Sequence, residues 1–208
     1  MSQSTQYQSA GESALHSILS ANAQWAEDVD DAEPGFFTDL AKGQQPPGRP
    51  PPPPPASRPG TIFVLRNVAN QFHDDDTSAH AALTYAVDFL GIEHACFNAA
   101  PGYMNGEPTV TVPGLLADDP LNRWLHPVTA LAASLQLSAA PKEEALPILV
   151  EENVKTQVEN ICKAAIIKKA WASKSAKGKD VFVHGLVFDL ATGKLNDLGI
   201  TRGPKGAA

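Results

Sequence analysis

Residues 61–98 read TIFVLRNVANQFHDDDTSAHAALTYAVDFLGIEHACFN, and this stretch decides the fold. The opening TIFVLR is apolar and β-branched and ends on the polar RNVAN, which predicts a buried strand. A helix follows. Asp74, Asp75 and Asp76 stand where the positive end of a helix dipole favours acids. Leu83, Ala86, Val87 and Leu90 recur at i, i+3, i+4 and i+7 as one apolar face. Gly91 is the expected C-terminal stop, and IEHACFN is a second strand. Strand, helix and strand in this order predict a parallel βαβ unit and an α/β class.

Outward from this unit, residues 13–43 predict a helical arm. Leu15, Ile18, Leu19 and Trp25 form its apolar stripe, and Pro34-Gly35 a turn before a short helix with Phe36, Phe37 and Leu40. The arm is suited to pack on its own chain or on a partner subunit. Residues 1–12 read as a disordered tail. Residues 44–60, QQPPGRPPPPPPASRPG, hold six consecutive prolines from Pro50 to Pro55. Proline lacks the backbone N–H and fixes φ, so this segment is excluded from helix and sheet and is expected as a polyproline II loop. Arg49 and Arg58 flank it as in ligands of SH3- or WW-type domains, a weak compositional match. Beyond Asn98, residues 99–120 are loop-like, 121–137 helical in parts, and 141–173 one or two long helices. DVFVHGLVFDLATGKLNDLGI then predicts a hairpin turning at Ala191-Thr192-Gly193. The core is thus placed at 61–201, with a tail at 202–208.

Composition narrows the function. The 208 residues carry a formal charge of −7, which argues against nucleic acid as a partner. The polar N-terminus has no apolar run for a membrane span or secretory leader. Two cysteines, Cys96 and Cys162, then fit a cytosolic location with reduced thiols, each read as a small buried hydrophobe. The cluster HDDDTSAH places His73 and His80 seven apart with Asp76 between them. A metal site there competes with a capped helix start, and the capped start is the stronger reading. His94 and His184 are expected in structural hydrogen bonds, and His126, before Pro127, at a helix start.

The stretches FVLRNVANQF, LTYAVDFLGIEH, ENVKTQVENIC and VHGLVFDLATGKLNDLGIT, with the earlier WAEDVDDAEPGFFTDLAKGQ, together resemble the β-class carbonic anhydrases. The resemblance implies a mainly parallel sheet flanked by helices, with an N-terminal helical arm. It implies zinc on two cysteines and a histidine, carried by CxDxR and HxxC motifs, with a zinc-bound water of lowered pKa attacking carbon dioxide. This chain departs from that pattern. The proline-rich segment stands where the first central strand and CxDxR belong, so that strand is expected to be missing. The HxxC histidine and cysteine fall at Ala100 and Tyr103. An alanine cannot bind zinc, and a phenol with its pKa near 10 is a poor ligand.

Four positions match the family's substrate pocket: Gln44, Phe63, Val68 and Tyr85. For the last three, persistence as core packing is the stronger reading. The expectation is therefore a protein without metal, cofactor or hydratase activity, serving as a scaffold or as a dimer partner of itself or of a related carbonic anhydrase. One alternative is a metal-independent lyase or cyclase in the old pocket, with Tyr103 and Glu107 as an acid/base pair. Another is an ordinary zinc carbonate dehydratase whose gene model misstates both ligand segments.

Overall fold

The computed structural model describes residues 3–41, 62–99, 116, 118–137 and 140–204. Gln44, the proline run, Ala100, Tyr103 and Glu107 lie outside them. Among the described residues the architecture is α/β: a three-stranded sheet in the order β1 (His94–Ala99), β2 (Phe182–Asp189), β3 (Lys194–Arg202), with helices packed around it. β1 pairs with β2 in parallel, and β2 with β3 antiparallel. The helices are α1 (Gln3–Ala32), α2 (Phe36–Ala41), α3 (Thr77–Thr84), α4 (Pro120–Ser134), α5 (Lys142–Lys163) and α6 (Ala165–Ser173).

The core lies between α5 and the sheet. Val150, Val154, Val158 and Ile161 recur on one face of α5 and are buried against Val183 and Val187 of β2. Each such side chain contributes about 2 kcal/mol by leaving water. The approach is close at Gly185, where an added Cβ would lie 3.1 Å from Val154 Cγ1 and 3.4 Å from Val158 Cγ2. α5 breaks at Ala164, whose ψ of 138° is extended, and α6 starts at once. The apolar pattern of 141–173 is thereby two helices. α3 is capped as its acids suggest: the Asp76 carboxylate accepts from the N–H groups of Ser78 and Ala79 at 3.0 and 3.2 Å. The same helical path continues through Tyr85–Leu90 as a π-helical turn and stops at Gly91, which is left-handed at φ 76°.

Three expectations need correction. Residues 62–66 form no strand, and Ile62, Phe63, Val64 and Leu65 are exposed rather than buried. A strand exists only against a neighbour, and no strand among the described residues precedes β1 to pair with this segment. The parallel partner of β1 comes instead from β2, after α4, α5 and α6. Second, α1 begins at Gln3, ten residues before the expected start, so helix occupies most of the supposed tail. Third, His126 does not start a helix. Asp119 and Pro120 open α4, and Pro127 lies inside it on the exposed side.

The arm packs on its own chain. The buried Asn22 amide donates to Gly193 O at 2.9 Å, and its carbonyl accepts from Leu195 N–H at 2.6 Å. Phe37, edge-on to Trp25 and Phe36, closes over the hairpin so tightly that a Cβ at Gly193 would lie 2.2 Å from its ring. Gly193 also has φ 69°, and the Asp189 side chain ties the turn at Ala191 N and Thr192 Oγ1. The turn read at 191–193 is thus where arm and hairpin meet. Asn22→Ala leaves two peptide groups unpartnered there, and is expected to lower stability by about 2 kcal/mol and Tm by about 4–8 °C in a thermal melt.

Candidate functional site

The RNVAN segment and α5 meet through amides. Asn67 and Gln71 bracket a 3₁₀ turn, Val68–Asn70, by a reciprocal pair: Asn67 Nδ2 donates to Gln71 O at 2.7 Å and Asn67 Oδ1 accepts from Gln71 N–H at 2.8 Å. Ala69 and Asn70 inside the turn have φ of 56° and 46°, a region costly for residues other than glycine. Contacts from α5 hold them there. Gln71 Nε2 donates to Asn153 Oδ1 at 2.9 Å and to Ala69 O at 2.8 Å, and Asn153 Nδ2 also donates to Ala69 O. Gln157 accepts from the Phe72 N–H at 2.9 Å and donates to Asn153 Oδ1 at 3.0 Å. Gln71, Asn153 and Gln157 are all buried. Gln157→Leu removes the acceptor for the Phe72 N–H and one donor to Asn153. We expect a loss of about 2–3 kcal/mol in urea unfolding, whereas Glu159, exposed on the same helix, tolerates replacement within about 0.5 kcal/mol.

Of the four pocket positions, the structure brings Phe63 and Tyr85 together, with ring centroids 6.1 Å apart. Neither they nor Val68 are core: Phe63, Val68 and Tyr85 are 46%, 55% and 50% exposed. Val68 is held through its backbone, its carbonyl accepting from Trp124 Nε1 at 2.8 Å. The physical reason is the same as for residues 62–66. No strand of the described residues lies alongside to bury their side chains.

All six histidines and both cysteines of the chain fall within the described residues, so every imidazole and thiol can be placed. His16 is exposed on α1 and His126 on α4. His73 stacks on Trp124 at 4.2 Å, and His80 rests on Phe72 at 4.7 Å; the Nε2 of each is buried without a hydrogen-bond partner. The capped-helix reading of this cluster holds. Cys162 is half-buried on α5, where burial pushes its thiol up to about 11. Cys96 is exposed on β1, against the expectation of a buried hydrophobe.

His94 and His184 do lie together, as structural hydrogen bonding requires. His94 Nδ1 and His184 Nε2 are 3.0 Å apart, and His184 Nδ1 is 2.9 Å from Thr201 Oγ1. Both nitrogens of the buried His184 are therefore engaged. Among the described residues no three His, Cys, Asp or Glu side chains form a group able to hold a metal ion.

Burial, and then the neighbouring His94, lower the pKa of His184 to about 4, with Asp197 opposing. Burial also lowers that of His94, with Glu93 opposing. The unfolded rings bind protons near 6.5. Between these values the unfolded chain holds more protons than the folded one, so stability is full above about pH 6.5 and falls as pH drops toward 4. We expect a loss of about 3 kcal/mol over that window in pH-dependent unfolding. His184→Gln should flatten the dependence.

These elements match a known group of proteins. The family profile described as carbonic anhydrase matches residues 55–195. A carbonic anhydrase of Emericella nidulans is 30% identical over 197 residues, covering 88% of this chain and 82% of that protein. A Coccomyxa β-carbonic anhydrase solved in complex with acetazolamide superposes with a TM-score of 0.61 at 25% identity, covering 91% of this chain and 88% of the other. One of two tetrameric β-carbonic anhydrases of Sordaria macrospora shares the fold with a TM-score of 0.59 at 24% identity, covering 91% and 99%. With the RNVAN turn, the α5 amides and the closing hairpin all in place, the chain belongs to the β-carbonic anhydrase family.

Proposed function

We propose that this chain keeps the family's fold without its zinc hydratase chemistry, and acts by assembling with itself or with a related carbonic anhydrase. The observation that carries the reading is the distribution of metal-binding side chains. Zinc in a catalytic site needs three protein ligands drawn from cysteine, histidine and carboxylate. By the resemblance the HxxC ligand positions fall at Ala100 and Tyr103, and residues 42–61 contain no cysteine, histidine, aspartate or glutamate. Residues 100–115 supply one carboxylate, Glu107. The imidazoles and thiols elsewhere are dispersed, or, in the case of His184, committed to His94 and Thr201. The residues present do not fit zinc.

The test is metal content and turnover in protein of this sequence, purified with zinc in the medium. We expect less than about a tenth of an equivalent of zinc per chain and carbon dioxide hydration at the buffer rate in a stopped-flow indicator assay. A full equivalent of zinc with hydration above background overturns the proposal and returns the chain to the ordinary carbonate dehydratases.

A further inference from the structure

A cavity of about 620 Å³ opens between the segment that enters α3, the first half of α4 and one side of α5. Its volume lies inside the range of about 300–1,000 Å³ that small-molecule sites occupy. Phe72 and Pro127 supply apolar wall, and Asp74, Asp75, Asp118 and Arg123 supply charge. The walls are held in place. Phe72 is buried and fastened through its backbone, its N–H donating to Gln157 and its carbonyl accepting from Asn160 Nδ2. The buried Asn122 of α4 donates to Leu116 O at 2.7 Å, and the Asp119 carboxylate accepts from Leu116 N–H at 2.9 Å. The cavity plays no part in the assembly proposed above.

The polar side chains that line it are uncommitted. Arg123 and His126 stand three apart on α4 and so share a face. Neither side chain, nor those of Asp74, Asp75 and Asp118, has a hydrogen-bond or ion-pair partner among the described residues. Asn160 uses its Nδ2 on Phe72 O and Gln157 Oε1, both at 3.3 Å, and its side-chain carbonyl has no such partner. His73 completes the wall, stacked on Trp124, and its buried Nε2 is unpartnered. Buried polar atoms are ordinarily paired. A guanidinium and three carboxylates that share a cavity without touching leave room between them for a ligand that touches both.

We infer that this cavity binds a small neutral polyol, a molecule of mono- or disaccharide size. A hydroxyl group is donor and acceptor at once, so a row of them donates to the carboxylates and to Asn160 and accepts from Arg123 and His126. The C–H faces of such a molecule suit the apolar wall at Phe72 and Pro127. Other classes of ligand fit less well. A divalent cation needs acids that converge, and no such group forms among the described residues. An anion would meet Arg123 but also three carboxylates of its own sign, and an organic cation would meet the unpaired Arg123.

The experiment is saturation-transfer NMR on the full chain, followed by titration, with glucose, mannitol and trehalose as probes and lysine and magnesium as controls. The variants are Arg123→Gln and Asp118→Asn, both at exposed positions. Circular dichroism checks that each is folded; either one, if folded, suffices. We expect at least one polyol to bind wild type with a Kd of about 1–10 mM, weakened about tenfold or more in a folded variant. Absence of binding by all three at about 50 mM overturns the inference. So does binding that the folded variants retain undiminished, which places the polyol elsewhere. Binding of lysine or magnesium where no polyol binds overturns it in favour of a site for charged ligands.

Discussion

The buried amides of Gln71, Asn153 and Gln157 are the constraint on which the rest of the chain hangs. They fasten the turn after residue 66 to α5, and α5 is the helix that lies on the sheet. A hydrogen bond adds little net stability when it merely replaces one to water, but a buried amide left without its partner is costly. The cluster therefore acts chiefly as a specification. It permits Ala69 and Asn70 their left-handed backbone and fixes where the chain enters the core. The junction is complete among the described residues and does not depend on a strand beside residues 62–66.

The same junction explains why Ile62–Leu65 is left exposed. Its downstream end is pinned by the Asn67–Gln71 pair, and Phe63 rests on Tyr85. Strand propensity describes how well a side chain suits a pleated, half-buried surface, and it cannot supply that surface. TIFVLR reads as a buried strand because its composition is that of one. Its neighbour determines whether it becomes one, and no strand of the described residues lies beside it. The apolar side chains remain as a surface of the molecule.

What was legible in the sequence was local. Asp76 at a capped helix start, Gly91 as a stop, the turn ending at Gly193 and the helices of 141–173 each announce themselves locally, and each is in place. The amide cluster was invisible to that kind of reading. Asn153 and Gln157 have the composition of a solvated helix face, and only the approach of residues 67–72, more than 80 positions away, makes them buried. Pro127 misled for a related reason. Proline favours a first helical turn, but Pro120 already occupies that place, and the second proline lies on the exposed side of the helix, one turn after the exposed Arg123.

The candidate site divides along the same line. Which residues could serve as ligands is a statement about residue types at given positions, and residue types are what a sequence contains. Whether other side chains rebuild a site is a statement about convergence, which needs the fold. His94 and His184 are the one imidazole pair brought into contact among the described residues, and the structure gives them work that a metal would disrupt. His184 must be neutral to donate to one neighbour and accept from another, and burial between β1, β2 and β3 keeps it so. A zinc ion on either nitrogen would displace a hydrogen bond that links two strands of the sheet. In this chain the pair acts as a structural bridge, which joins β1 through β2 to Thr201 on β3.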